Sequence, residues 1–147
     1  MKQLFIAVLI TASFTTTAFA GTISNNNNCQ DISCVVENYK NVVIENKADF
    51  TKASINDENV KQEIFYSPEG DFIGVSKNIG YDKLPTKAIK TISKQFLAPK
   101  YTVKNCIEFV NADNATSYYV SLATKTQRTI LEINEFRNVS VFNTINM

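Results

Sequence analysis

The sequence feature that most restricts the fold is a turn between two runs of β-forming residues. The turn SPEG at 67–70 follows a run over 60–66 and precedes a run over 71–79. Proline presets φ for the first central position of a type I turn, and glycine supplies the left-handed residue that closes a bulged hairpin. The two runs are therefore predicted to pair as antiparallel strands. Glu69 and Asp71 belong to this turn and are interpreted as turn residues rather than as an acid/base pair or a calcium site.

Similar β signals continue on both sides of the hairpin. Two further runs precede it, one beginning at Asn41 and one from Phe50 to the turn-rich segment 56–59. Four more follow at 101–110, 117–124, 129–134 and 139–143, separated by turn-like segments. Short runs divided at regular intervals by turn residues indicate a meander. The sequence thus predicts about eight strands.

Two segments instead have helical spacing. Between 84 and 97 the apolar residues form one stripe opposite a lysine-rich face, with Pro85 suited to the first turn and Pro99 ending the helix. The stripe consists of Leu84, Ala88, Ile89, Ile92 and Phe96. A shorter helix is predicted over about 31–39, where Asp31 or Ser33 is available as a cap.

The second half of the chain repeats the pattern of the first. Residues 48–55 match 115–122, and the β-branched positions that follow match in the same order. Each half is predicted to be a helix plus a four-stranded meander. The fold class is therefore α+β, an antiparallel sheet of about eight strands with helix packed on one face.

The N-terminus is typical of a secretory signal. Lys2 supplies the positive charge, 4–10 the apolar core and 18–20 the small-x-small cleavage pattern. We expect residues 1–20 to be a signal peptide, 21–30 a flexible asparagine-rich leader and 31–147 a single domain. The protein is therefore expected to be periplasmic or secreted, with no membrane insertion after signal removal.

Composition argues against several functional classes. The chain has 15 basic and 14 acidic residues, whereas nucleic-acid binders normally carry a basic excess, and the same balance does not favour acidic partners. Histidine is absent, which removes the commonest general base and metal ligand. Neither a GxSxG motif nor a glycine-rich phosphate loop occurs. We therefore expect no catalytic residues, no cofactor, no metal site and no enzymatic activity.

The three cysteines, Cys29, Cys34 and Cys106, leave one thiol over after a single pairing. Cys29 with Cys34 is the preferred disulfide because both lie in one short polar segment, and Cys34 with Cys106 is the alternative. By strand parity Cys106 is opposite to Val103 and Ile107, so it is expected to face away from the main core.

The aromatic residues supply the candidate binding surface. Tyr118 and Tyr119 are adjacent on one strand, so one is expected in the core and the other on the open face of the sheet, beside Tyr66 or Phe65. Exposed aromatic side chains are favoured anchors at protein interfaces. The alternative is that a helix or a second layer covers them.

Several segments together resemble the PepSY-like, β-lactamase-inhibitor-like (BLIP-like) family of exported Bacteroidetes proteins. They are the signal MKQLFIAV, the hairpin FYSPEGDFIGVSKNI, the helix start DKLP at 82–85, the strand starts YTV at 101–103 and YYV at 118–120, and the closing VSVF at 139–142. The resemblance implies helices on one sheet face and a concave opposite face that grips a protein partner. The N-terminal helix is shorter here, and Ile44 stands near a position that is often aromatic.

Two functional hypotheses follow. The first is a non-enzymatic exported module that binds another exported protein, as an inhibitor or chaperone-like partner, through its open sheet face. The second is a carrier with a small molecule or peptide held between helix and sheet.

Overall fold

The computed structural model describes residues 31–57, 60–96 and 100–147. The predicted signal segment and leader lie outside the described residues. The helices are α1 Ile32–Asn38, a 3-10 helix Tyr81–Lys83 and α2 Thr86–Gln95. The strands are β1 Val42–Asn46, β2 Thr51–Asp57, β3 Val60–Tyr66, β4 Phe72–Asn78, β5 Thr102–Asn111, β6 Thr116–Ala123, β7 Gln127–Ile133 and β8 Val139–Asn146. None of the helices in these ranges is long and apolar enough to cross a membrane.

All eight strands form one antiparallel sheet in chain order, from β1 at one edge to β8 at the other. Helix α1 precedes the first four strands, and α2 lies between β4 and β5. The halves join where β4 pairs with β5, for example Val75 with Val110. The predicted α+β fold with two helix-plus-meander halves is confirmed.

The SPEG hairpin has the predicted geometry. The Gly70 N–H donates to the Ser67 carbonyl (3.0 Å), the Ser67 N–H donates to the Asp71 carbonyl (2.8 Å), and Gly70 has φ of 96°. Asn114 (φ 60°) and Arg137 (φ 64°) occupy the corresponding left-handed position in the β5–β6 and β7–β8 turns. One turn type therefore fixes three of the hairpins, although only the first has the glycine that this backbone favours.

The helices form where capping and periodicity predict them. The Asp31 side chain accepts a hydrogen bond from the Cys34 N–H (2.9 Å), which caps α1. In α2 the predicted stripe faces the sheet, with Leu84, Ala88 and Ile92 buried. The α-helix begins at Thr86, after Pro85 as N-cap, slightly later than predicted.

Both helices pack on the same face of the sheet. Helix α1 covers the first-half core, which contains Val35, Ala53, Ile55, Ile64 and Tyr66. Helix α2 covers the second-half core, which contains Leu84, Ala88, Ile92, Cys106, Val120, Leu122, Leu131 and Ile133. The two cores lie on one continuous face of the sheet, because Ile64 on β3 pairs with Val75 on β4, and Val75 pairs with Val110 on β5. We call this the helix face.

The opposite face carries a third cluster, which we call the aromatic cluster: Phe50, Phe65, Ile107, Tyr119 and Ile130. Half-buried residues packed against it form its rim: Ile73, Phe109, Phe142 and Ile145. Neither described helix covers this helix-free face. Its central side chains are nevertheless buried, and they pack against one another and against the rim.

Gly74 makes that packing possible. It lies opposite Phe65 in the β3–β4 register. A Cβ atom at Gly74 would lie 2.6 Å from both Cζ of Phe109 and the carbonyl oxygen of Val110. The Phe109 ring therefore lies across a position that only glycine can occupy, and it meets Phe65 at a centroid distance of 6.4 Å.

Candidate binding face

The four predicted contact residues are divided between the two faces. Phe65 and Tyr119 lie on the helix-free face, and each is only 2% exposed within the aromatic cluster. Tyr66 is buried under α1, and Tyr118 is half-buried against the second-half core, where the Arg137 guanidinium lies 5.6 Å from its ring centroid. The expected alternation of Tyr118 and Tyr119 is confirmed. Partner binding through these residues stays a prediction, and the partner would reach the two cluster members through the rim around them.

Tyr119 is fixed on the helix-free face by a hydrogen bond and a ring contact. Its hydroxyl donates to Oε1 of Glu132 (2.8 Å), and its ring meets Phe142 edge-on at 5.6 Å between centroids. Burial, followed by the hydrogen bond to Glu132 and its charge, raises the pKa of Tyr119 above the ordinary value. The group is therefore a neutral donor rather than a general base.

A charged group lies on the same face in the first half. Nζ of Lys52 lies 3.1 Å from Oε1 of Glu63 and 3.4 Å from Oε2 of Glu45. Burial raises the pKa of Glu63, and the opposing effect of Lys52 is smaller. A carboxyl with a raised pKa can serve acid/base chemistry, but this one is engaged by a lysine. The sequence analysis missed the pair, because it depends on the β2–β3 register, in which Lys52 and Glu63 are diagonal neighbours on one face.

The structure corrects the predicted direction of Cys106. The side chain is 3% exposed and belongs to the second-half core, so it faces toward α2 and not away from the core. Cys106 is opposite to Ile107, as predicted, but Ile107 lies in the aromatic cluster on the helix-free face, so the face of Cys106 is the one that α2 covers. The prediction also placed Val103 on the other face from Cys106, and a register shift in β5 between Val103 and Asn105 overturns that. The extra residue places Val103 and Cys106 on the same face, whereas uninterrupted alternation separates them. Burial raises the pKa of the Cys106 thiol to about 12.

The states of Cys34 and Cys106 exclude one of the two predicted disulfides. Cys34 is disulfide-bonded and Cys106 is a free cysteine. This excludes the alternative pair Cys34 with Cys106. Cys29 lies outside the described residues, so the Cys29–Cys34 disulfide stays a prediction.

The described residues hold no cluster of three His, Cys, Asp or Glu side chains that could bind a metal ion. The space between α2 and the sheet is filled by the second-half core, whose members are at most 4% exposed. A ligand held there would have to displace tightly packed side chains, so the geometry does not favour a carrier.

Large apolar side chains are exposed at several places around the sheet. Val43 on the edge strand β1 is 58% exposed, and Phe136 at the β7–β8 turn is 70% exposed. Together with the half-buried rim, they give the molecule apolar surface on and beside the sheet. Such a surface suits contact with another protein better than it suits chemistry.

Solved structures share this architecture. A DUF2874 family protein from Bacteroides ovatus superposes with a TM-score of 0.63 at 10% identity, covering 86% of this chain and 89% of that one. A BLIP-like protein from Bacteroides fragilis has a TM-score of 0.58 at 11% identity, with 76% and 77% covered. A Bacteroides eggerthii protein, provisionally described as periplasmic, has a TM-score of 0.62 at 7% identity, with 76% and 81% covered. No protein-family model and no curated protein matches the sequence.

These likenesses identify the fold as that of DUF2874 and BLIP-like proteins of Bacteroides. They fit the predicted BLIP-like architecture. At 7–11% identity they carry the fold alone, without a partner or an activity.

Proposed function

We propose that the protein is a non-enzymatic, exported binding module that grips another exported protein with the helix-free face of its sheet. The observation that carries this proposal is the rim of Ile73, Phe109, Phe142 and Ile145 around the aromatic cluster. These side chains are half-buried and held on strands, so a partner can cover them without ordering a loop. Rigid apolar groups lose little entropy on binding.

The proposal includes export and a family. We propose that residues 1–20 are removed as a signal peptide and that the chain is PepSY-like as well as BLIP-like in fold. N-terminal sequencing of the protein recovered from the periplasm or medium is expected to begin at Gly21. A start at Met1 would contradict export by this route.

The binding face can be mapped with a photo-crosslinking residue placed at Phe142 on the rim, or at Lys90 on the exposed side of α2. We expect a defined protein partner to be crosslinked from position 142 in the source organism and not from position 90. Equal crosslinking from both positions, or none from 142, would contradict the proposal.

Once the partner is purified, two matched substitutions separate binding from stability. Ile73 and Ile89 are both half-buried isoleucines at the margin of a core cluster, one on the helix-free face and one on α2. Ile73→Ala is expected to weaken binding by about tenfold or more, as interface anchors do. Ile89→Ala is expected to reduce stability similarly and leave the dissociation constant unchanged. Calorimetric titration measures the dissociation constants of both variants, and urea denaturation measures their stabilities.

A further inference from the structure

One end of the second half of the sheet carries charge of a single sign. We call it the basic end and define it as residues 100–105, 122–129 and 143–147, at the start of β5, the β6–β7 turn and the end of β8. Every charged side chain in these segments is a cation: Lys100, Lys104, Lys125 and Arg128. The nearly neutral composition of the whole chain conceals this local excess.

The opposite end of the same strands carries the acids. Asp113 lies in the β5–β6 turn, and Glu135 lies in the β7–β8 turn. The SPEG turn at that end adds Glu69 and Asp71. That end also holds Arg137, in the same turn as Glu135, so it is mixed in charge, whereas the side chains of the basic end are charged with one sign only.

Arg128 differs from the lysines of the basic end because it is half-buried. It lies on β7 between Ala123 and Ile145, on the same face as Ile130 and the aromatic cluster. Its Nε is the one buried side-chain nitrogen or oxygen within the described ranges that has no hydrogen-bond partner. The nearest acid along that strand face is Glu132, which already accepts from the Tyr119 hydroxyl. The guanidinium is therefore half withdrawn from water without a counter-ion.

An unpaired, partly buried cation raises the free energy of the unliganded protein, because it loses hydration and gains no partner. A carboxylate at the terminal guanidinium nitrogens would offset that loss and form charge-assisted hydrogen bonds. The lysines are exposed to solvent and need no such partner. The basic end thus has one specific anchor and several flexible cations around it.

A depression of about 650 Å³ lies at the same end and is lined by polar and apolar surface in similar shares. Its lining comprises Lys100, Tyr101, Thr124, Lys125, Thr126, Gln127, Asn146 and Met147. Arg128 does not line it, and Tyr101, which does, packs against the second-half core on the helix face. Ammonium, amide and hydroxyl groups of this kind can donate hydrogen bonds to several acceptors along a peptide. The depression extends the basic end beyond the single guanidinium.

We propose that the basic end binds an acidic segment of the polypeptide partner, with Arg128 taking a carboxylate on the helix-free face and Lys125 adding positive charge from the adjacent β6–β7 turn. This inference rests on the proposed function, since it takes the partner to be a protein, and it adds the chemistry that the partner must present. The helix-free face supplies the apolar contact, and the basic end supplies the charge recognition.

The chain makes the test simple because it has two arginines, Arg128 and Arg137. Its spectrum of arginine Nε–H groups should therefore show two signals, which Arg128→Lys assigns. Titration with a short polyglutamate peptide at low ionic strength is expected to shift the Arg128 signal and leave that of Arg137, which lies over Tyr118, in place. A shift of neither signal, or of Arg137 alone, would overturn the proposal.

Affinity for the same peptide provides the second measurement. Arg128→Gln is expected to weaken binding by about tenfold or more, and Arg128→Lys by less. Arg137→Gln is the matched control and is expected to bind as the unmodified protein does. Equal weakening by both glutamine variants would show a general charge effect and overturn the site. A response to inorganic phosphate that polyglutamate does not reproduce would also overturn it, in favour of a small-anion site.

These outcomes are separable from the proposed function. A partner that crosslinks from position 142 and binds the Arg128→Gln variant normally supports the helix-free face and rejects the acidic segment. Specific polyglutamate binding without any crosslinked partner supports the basic end and rejects the face.

Discussion

Ile130 and Leu131 are neighbours on β7, and both are 0% exposed, although they belong to opposite faces of the sheet. Leu131 is covered by α2 in the second-half core, whereas Ile130 lies in the aromatic cluster, which no described helix covers. On one face, a layer of helices shields the apolar side chains from water. On the other face, the described side chains that pack around Ile130 come from the strands and from Phe50, not from a helix.

The difference shows what each face can offer to a partner. The helix face presents α1 and α2 to solvent and keeps its buried core beneath them, although Ile44, Val103 and Val141 on that face are exposed. The helix-free face has no such layer, so its rim of aromatic and aliphatic side chains is also its surface. It also holds the Lys52–Glu63 and Tyr119–Glu132 pairs, which give it fixed polar positions beside the apolar ones. A partner that binds this face therefore contacts the rim of the aromatic cluster directly.

The largest expected effect comes from truncating the two β7 neighbours. Leu131→Ala and Ile130→Ala are each expected to lower the free energy of unfolding by about 2–5 kcal/mol, the usual cost of removing a buried aliphatic side chain. Urea denaturation followed by circular dichroism measures both. If Ile130→Ala cost well under 1 kcal/mol while Leu131→Ala cost several, the helix-free face would be a surface rather than a core.

The next effect concerns the position that allows the rings to pack. Gly74→Ala places a methyl group against Phe109 and the Val110 carbonyl, and it is expected to cost about 1–3 kcal/mol of stability because backbone must move. Gly80→Ala is the control, since its Cβ would meet the exposed Asp82 side chain, which can turn away. Thermal denaturation compares the two. Equal costs would mean that the Phe109 ring does not depend on Gly74.

The smallest effect is electrostatic and concerns Glu63 on the helix-free face. Because its pKa is raised in the folded protein, the native state holds a proton that the unfolded chain releases more easily. As pH rises above the ordinary carboxyl pKa of 4.5, the unmodified protein is therefore expected to lose stability relative to the Glu63→Gln variant. Urea denaturation across that pH range measures it. A shift in the opposite direction would mean that pairing with Lys52 outweighs burial.

Elements with strong local signals could be predicted from the sequence. The SPEG turn, the α2 stripe and the succession of strands depend on residues close together in the chain, and all are present. Local pattern also placed Tyr118 and Tyr119 on opposite faces. These features need no knowledge of the tertiary structure.

Features set by register could not be predicted in the same way. The bulge after Val103 reverses the parity of the residues before it, and no turn residue marks its position. The burial of Phe65 depends on a ring from β5 lying across Gly74, so it requires the pairing of β3, β4 and β5. The sequence therefore indicated which aromatic residues matter to the sheet, but not which neighbours bury Phe65 and Tyr119 on the helix-free face.

The burial of Cys106 beneath α2 also governs the thiol–disulfide chemistry of the folded chain. Thiolate is the species that attacks a disulfide, and a thiol with a pKa of about 12 is almost wholly protonated in neutral solution. Since the sulfur also lies beneath α2, Cys106 takes no part in exchange with the disulfide of Cys34 while the protein is folded. The burial of one thiol beneath a helix thus lets a chain with an odd number of cysteines keep its disulfide pairing.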